Sequence, residues 1–137
     1  MGSWDVGSFG NDAAIDWTYG LEKVGDLSYV EAALDRVLAH GIADEVPADA
    51  AESAIAAAEV VARLKGNWGE EDSYSQTADA WVRAHGIAPP ASLVAKTVAA
   101  LDRIVAAPSQ LLELWNEAEE QGGWVEAVAE LKGRVAR

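Results

Sequence analysis

Three polar residues near the amino terminus, Asn11, Asp12 and Asp16, have types and spacing that could form a small-molecule site. Asp12 and Asp16 are four residues apart, so a helix would place both carboxylates on one face. Paired carboxylates can divide the roles of general acid and general base, or bind a hard cation. Trp4 precedes them and would supply an aromatic contact. One hypothesis is therefore a ligand-binding or enzymatic site formed by these four residues.

The same residues also have a structural interpretation. Asn11 is a good helix cap, and Asp12 in the first turn would interact favourably with the helix dipole. Two carboxylates are too few for a metal cage, and the absence of cysteine excludes disulfides and thiolate metal sites. The sequence also lacks the motifs of serine hydrolases, P-loop proteins and zinc proteases. We therefore expect no metal, no cofactor and no enzymatic activity.

The net charge of −13 is distributed unevenly over the 137 residues. Residues 1–62 contain 12 acids and two bases, whereas residues 63–137 contain 11 acids and eight bases. Such a chain repels phosphate backbones and anionic lipids, so we expect neither nucleic acid nor a membrane as a partner. A basic protein would be attracted, and the acids expected to contact it are Asp35, Asp44, Glu45 and Glu52. The alternative is that the acidity serves solubility alone.

The elements that carry these residues read as helices almost throughout, because apolar residues recur with a period of 3.6. No segment alternates as a strand would. The pattern predicts helices over 12–24, 28–40, 49–65, 75–85, 91–106, 109–121 and 123–135. We expect a single all-α domain over residues 1–137, an irregular bundle of about six or seven helices. An ordered glycine-rich arm carrying Trp4 and Phe9 would precede it.

Several helix boundaries can be predicted from local motifs. Ser28 and Glu31 have the spacing of a capping box at the start of the second helix. The pentapeptide Ala-His-Gly-Ile-Ala occurs at 39–43 and again at 84–88, each time at a predicted helix end. In both copies we expect the glycine to adopt a left-handed conformation, so that Ile42 and Ile87 fold back onto their helices.

The first 20 residues do not read as a targeting segment. They contain four glycines and no lysine or arginine, whereas a signal peptide needs a basic start and an apolar stretch. No apolar run approaches the roughly 20 residues of a membrane span. The sequence therefore predicts a cytoplasmic protein.

The amino-terminal residues follow the pattern M-G-x-W-x-x-G-x-F-x-N-D-x-A-x-D-W. This pattern resembles the opening of a bacterial family known as domain of unknown function 4259, and every fixed position is present. The alanine-rich segment 56–62 and the segment 109–115 are also similar to that family, except that Gln110 stands where a glutamate is expected. The resemblance implies a small cytoplasmic bacterial protein and no particular mechanism.

Three functional hypotheses follow from these observations. The preferred one is a non-enzymatic protein-binding module, such as an inhibitor or immunity factor for a basic partner. The second is a small-ligand binder or enzyme with its site near Asn11, Asp12 and Asp16. The third is a purely structural domain. The sequence makes no prediction of the oligomeric state.

Overall fold

A computed structural model describes residues 7–118 and 121–137 of the chain. These residues form a bundle of seven α-helices without a β-strand, as predicted, and the helices end within four residues of the predicted boundaries. The helices are α1 (Asp12–Leu21), α2 (Ser28–Leu38), α3 (Ala48–Leu64), α4 (Gln76–His85), α5 (Ala91–Ile104), α6 (Gln110–Glu117) and α7 (Gln121–Ala136). None of these helices has both the length and the apolar character needed to cross a membrane.

Helix α3 lies at the centre of the bundle and packs against all six other helices. Residues 50–63 are buried without exception. The sequence explains this position, because alanine and valine cover every side of the helix, and a helix that is apolar all round is buried all round. Small side chains also let neighbouring helices approach closely. Consequently, the few polar side chains of α3 lie inside the protein.

Tryptophan side chains form much of the remaining core. Trp17, Trp81, Trp115 and Trp124 lie on the apolar faces of their helices, and all four are buried. The rings of Trp115 and Trp124 stack with their centroids 6.5 Å apart, which joins α6 to α7. Trp17 stacks on Tyr29 at 5.1 Å, and this contact joins α1 to α2.

The described part of the amino-terminal arm packs into this core. Phe9 is buried at 5% exposure. Trp4, the other aromatic residue of the predicted arm, lies outside the described residues.

The capping box predicted for α2 is wrong. Ser28 lies in the first turn of the helix, and the cap position is held by Leu27, whose side chain makes no capping hydrogen bond. Asp26 takes the capping role instead, because its Oδ1 accepts hydrogen bonds from the Ser28 nitrogen at 3.0 Å and from the Ser28 hydroxyl at 2.6 Å.

The two copies of Ala-His-Gly-Ile-Ala have different conformations. Gly86 is left-handed, with φ of 55°, and Ile87 packs against the core as predicted. Gly41 is not left-handed, and Ile42 is 90% exposed, so the prediction for the first copy is wrong. The chain after α2 instead enters a turn in which the Asp44 nitrogen donates to the Gly41 carbonyl at 3.1 Å.

Candidate functional site

The structure separates the polar residues of the amino-terminal motif. Asn11 is buried, and its Oδ1 caps α1 by accepting a hydrogen bond from the Ala14 nitrogen at 2.7 Å. Asp12 and Asp16 are exposed on the outer side of α1. Within the described residues, no group of three or more His, Asp or Glu side chains is placed to hold a metal ion. Asn11 therefore has a structural role and does not form a polar site with the two aspartates.

Glu52 is not on the surface, where the charge pattern had placed it. Glu52 is only 7% exposed because other helices surround α3 on every side. Together with Asn11, Glu52 lines a cavity of about 20 Å³ between α3, α6 and α7, a volume suited to about one water molecule. The set of acids available to a partner is thereby reduced to Asp35, Asp44 and Glu45.

Those three acids are exposed and lie together in the chain, at the end of α2 and in the loop before α3. We refer to residues 35–49 as the α2–α3 corner. Its loop, residues 39–47, contains the two acids Asp44 and Glu45 and no lysine or arginine, while Asp49 in the first turn of α3 pairs with Arg36 at 2.8 Å. Lys96 of α5 contacts Asp35 at 2.7 Å and Glu31 at 2.8 Å, so one lysine faces two carboxylates and leaves a net negative charge.

The backbone of the corner is held in place by Arg103 of α5. Its Nη2 atom donates to the carbonyls of Gly41, Asp44 and Pro108 at 3.3, 2.5 and 3.1 Å. The Asp44 side chain accepts a further hydrogen bond from the Gly41 nitrogen at 3.2 Å, and Val46 donates to Pro108 at 3.2 Å. These hydrogen bonds therefore hold the loop backbone in place, although the side chains of residues 42–45 face solvent.

A second group of charged residues is buried between α3, α4 and α7. We refer to Glu59, Arg63, Asp79 and Arg134 as the buried ion cluster, and each is at most 6% exposed. Two nitrogens of Arg134 donate to the two Glu59 oxygens at 2.8 Å. Arg63 donates to Glu59 and, at 2.7 Å, to Asp79. The two positive and two negative charges balance.

The buried ion cluster is saturated with hydrogen bonds. The Ser8 hydroxyl donates to Glu59 at 2.7 Å, and the Arg63 Nη2 donates to the Glu70 carbonyl at 2.7 Å. Burial alone would raise the pKa of Glu59, but hydrogen bonds from Arg134 and the charge of Arg63 outweigh burial and hold this pKa below its ordinary value. A cavity of about 240 Å³ adjoins the cluster. Since every guanidinium nitrogen already donates to an oxygen, the cluster is suited to holding helices together.

The family model of a domain of unknown function, DUF4259, matches residues 2–127. The chain belongs to the DUF4259 family. No curated protein and no solved structure matches the chain significantly. Membership of this family assigns no activity to the chain, because the function of the domain is unknown.

Two of the segments similar to DUF4259 meet at the buried ion cluster. The Arg63 guanidinium lies over the Phe9 ring of the amino-terminal motif, with the Arg63 Cζ atom 5.5 Å from the ring centroid. Ser8, next to it, donates to Glu59 in the alanine-rich segment. The motif therefore has a physical role in this DUF4259 chain, which is to anchor the start of α1 against α3.

Sequence reasoning missed the buried ion cluster of this DUF4259 chain. The sequence does indicate part of the cluster. Glu59 and Arg63 are four residues apart in a helix whose other sides are covered by alanine and valine. A charged pair in such a helix must be buried. Their partners Asp79 and Arg134 carried no comparable signal, because α4 and α7 have polar residues on several faces.

Proposed function

We propose that this chain is a non-enzymatic protein-binding module that recognises a basic partner protein through the α2–α3 corner. The observation that carries the proposal is the corner loop itself, which presents Asp44 and Glu45 to solvent on a backbone fixed by Arg103. A rigid, acidic and exposed loop is a surface that complements a basic protein, such as one that the chain inhibits or neutralises.

The distribution of the basic residues supports the same proposal. Six of the ten lysines and arginines form ion pairs with the chain's own carboxylates; these are Arg36, Arg63, Arg83, Lys96, Lys132 and Arg134. Three others, Lys65, Arg103 and Arg137, donate to backbone carbonyls. Most of the lysines and arginines thus already bond to oxygens of the chain itself, and the chain has 23 acids against ten bases.

The alternative site near Asn11, Asp12 and Asp16 has less support. Its Asn11 is committed to capping α1, and the two aspartates face solvent. A ligand site would need these side chains to point at one place. Electrostatic recognition does not, because charges spread over a surface can steer a partner from a distance.

The experiment compares two triple variants with equal net charge. Asp35→Asn, Asp44→Asn and Glu45→Gln together neutralise the corner, whereas Glu22→Gln, Glu113→Gln and Glu126→Gln neutralise exposed acids elsewhere. Partners are captured from a native lysate at low and high salt with the unsubstituted chain, and their binding kinetics are then measured by surface plasmon resonance. Steering raises association rates by about 10–10³ and weakens within a Debye length of about 8 Å at physiological ionic strength.

We expect the corner variant to slow association at least about tenfold at low salt with little change in dissociation, since exposed charges act mainly on the association rate. The control variant should slow association no more than about threefold, because its acids lie outside the contact surface. Equal effects of the two variants would show that only net charge matters. An association rate that depends neither on salt nor on the corner acids would reject the proposal.

A further inference from the structure

We infer that Ile42 is the apolar anchor of the α2–α3 corner and that the corner binds a basic amphipathic segment, in which lysines or arginines flank apolar side chains. This inference rests on the proposed function and names the chemistry of the partner. Ile42 is 90% exposed, more than Tyr19 at 55%, or Leu38 and Tyr74 at 37%. A single exposed aliphatic residue needs no explanation by itself. Three further observations distinguish this one.

The first observation is the second copy of the same pentapeptide. Residues 39–43 and 84–88 are identical, yet Ile87 packs against the core and Ile42 faces solvent. Gly86 makes the difference by adopting a left-handed conformation, which Gly41 could adopt equally well but does not. The same local sequence can thus pack its isoleucine against the core, whereas at the corner the isoleucine is exposed.

The second observation is that this exposure is fixed by tertiary contacts. Arg103 donates to the carbonyls of Gly41 and Asp44, on either side of Ile42, and the Asp44 side chain closes the turn onto the Gly41 nitrogen. A side chain displayed on a fixed backbone loses little conformational freedom when it binds. The corner is therefore preorganised to insert Ile42 into an apolar surface.

The third observation is the chemistry around Ile42. Its chain neighbours Gly41 and Ala43 are both small and exposed. Asp44 and Glu45 follow directly and are exposed as well. An apolar centre with carboxylates at its edge complements an apolar centre with lysines or arginines at its edge. A second copy of this chain would bring the same acids against each other, which disfavours self-association.

The probe for this inference is a displayed library of random 16-residue peptides, selected on the immobilised full-length chain. Selected peptides are synthesised and their affinities measured by calorimetry for the unsubstituted chain, for Ile42→Ser and for Asp44→Asn with Glu45→Gln. Tyr19→Ser is the matched control, because it removes the next most exposed large apolar side chain, which lies in α1 and outside the corner. Thermal melts check that each variant folds, which we expect since the replaced side chains are exposed.

We expect the selected peptides to combine lysine or arginine with apolar residues, and to bind Ile42→Ser at least tenfold more weakly. Tyr19→Ser should change the affinity less than twofold, and amide chemical shifts should move at residues 38–49. Binding weakened by the loss of the two acids but not by Ile42→Ser would reject the anchor and leave the proposed function standing. Binding weakened by Ile42→Ser but not by the loss of the acids would keep the anchor and reject the basic partner.

Four other outcomes would overturn the inference. Peptides without an excess of basic residues, or peptides unaffected by both sets of substitutions, would reject the inference and the proposed function together. Failure to enrich any peptide that distinguishes the unsubstituted chain from Ile42→Ser would reject the anchor. A dimer detected by light scattering that dissociates in Ile42→Ser would show that the occupant is a second copy of the chain.

Discussion

Glu59 in the central helix accepts hydrogen bonds at 2.8 Å from two nitrogens of Arg134, although 75 residues separate the two side chains. The same carboxylate accepts a hydrogen bond from Ser8 in the amino-terminal arm. One buried carboxylate thus connects the arm, α3 and α7. The two guanidiniums and two carboxylates of the cluster balance, so removing Glu59 leaves two buried guanidiniums with Asp79 as their buried carboxylate, while Glu130 still contacts Arg134 from the surface.

Replacing Glu59 by glutamine should lower the free energy of unfolding by about 3–5 kcal/mol, the usual cost of breaking a buried ion pair on one side. The measurement is urea unfolding followed by circular dichroism. Glu126→Gln, at an exposed position on α7, is the control and should change stability by no more than about 0.5 kcal/mol.

A double variant tests whether the cost comes from the excess of buried positive charge. Glu59→Gln combined with Arg134→Met removes both charges and should cost less than the sum of the two single substitutions. An additive double variant, or a Glu59→Gln variant that costs less than about 1 kcal/mol, would contradict the role of this pair.

Stability should fall in acid in a way that depends on Glu59. The pKa of this carboxyl is held below its ordinary value of 4.5 in the folded state, so the folded chain keeps it ionised where the unfolded chain takes up a proton. Its stabilising contribution is therefore fully present above about pH 4.5 and is lost as the pH falls through the folded pKa. Unfolding free energies measured between pH 7 and pH 3 should fall more steeply for the unsubstituted chain than for Glu59→Gln. Parallel curves would show that Glu59 is not responsible.

The two copies of the pentapeptide should respond differently to alanine in place of glycine. Gly86→Ala forces a left-handed alanine and should cost about 1–2 kcal/mol. A Cβ at residue 41 would contact only the Asp44 Oδ2 atom, at 3.4 Å. Gly41→Ala should therefore change stability by no more than about 0.5 kcal/mol. Chemical denaturation of the two variants compares them directly. A larger cost at Gly41 than at Gly86 would contradict the conformations described above.

A methyl group at Gly20 should disturb the contact between α1 and α2. A Cβ there would lie 2.1 Å from the Tyr29 hydroxyl oxygen, so Tyr29 would have to leave Trp17, whose carbonyl accepts its hydrogen bond at 2.8 Å. We expect Gly20→Ala to cost about 1–3 kcal/mol, as overpacking usually does. Gly133→Ala in α7 meets no atom within 4 Å and should instead stabilise the chain by about 0.5–1 kcal/mol. Thermal unfolding of both variants measures the difference, and a stabilised Gly20→Ala would refute the close approach.

The helices could be predicted from the sequence because their cause is local. Each repeats apolar residues with the helical period, and glycine or proline residues lie near most of their ends. Asn11 as the cap of α1 and the four buried tryptophans follow from the same local patterns. The start of α2 was assigned to the wrong cap because Asp26 and Ser28 both suit that role, and only the structure shows that the aspartate accepts the bonds.

The features that could not be predicted depend on residues far apart in the chain. Ile42 and Ile87 have identical neighbours, and Arg103, about 60 residues further along, fixes the loop around the exposed one. Glu52 was assigned to the surface because acids usually lie there, whereas its position in an apolar helix dictates burial. The corner acids Asp44 and Glu45 could be predicted as exposed, but their association with a fixed apolar side chain could not.

The central position of α3 has a consequence for how the molecule opens. Every other helix rests on α3, and its residues 50–63 are covered along their full length. Its amide protons therefore reach solvent only when the whole bundle comes apart, while the outer helices can open one at a time. Native-state hydrogen exchange should find the slowest amides between residues 54 and 61, with a single opening free energy equal to that of global unfolding.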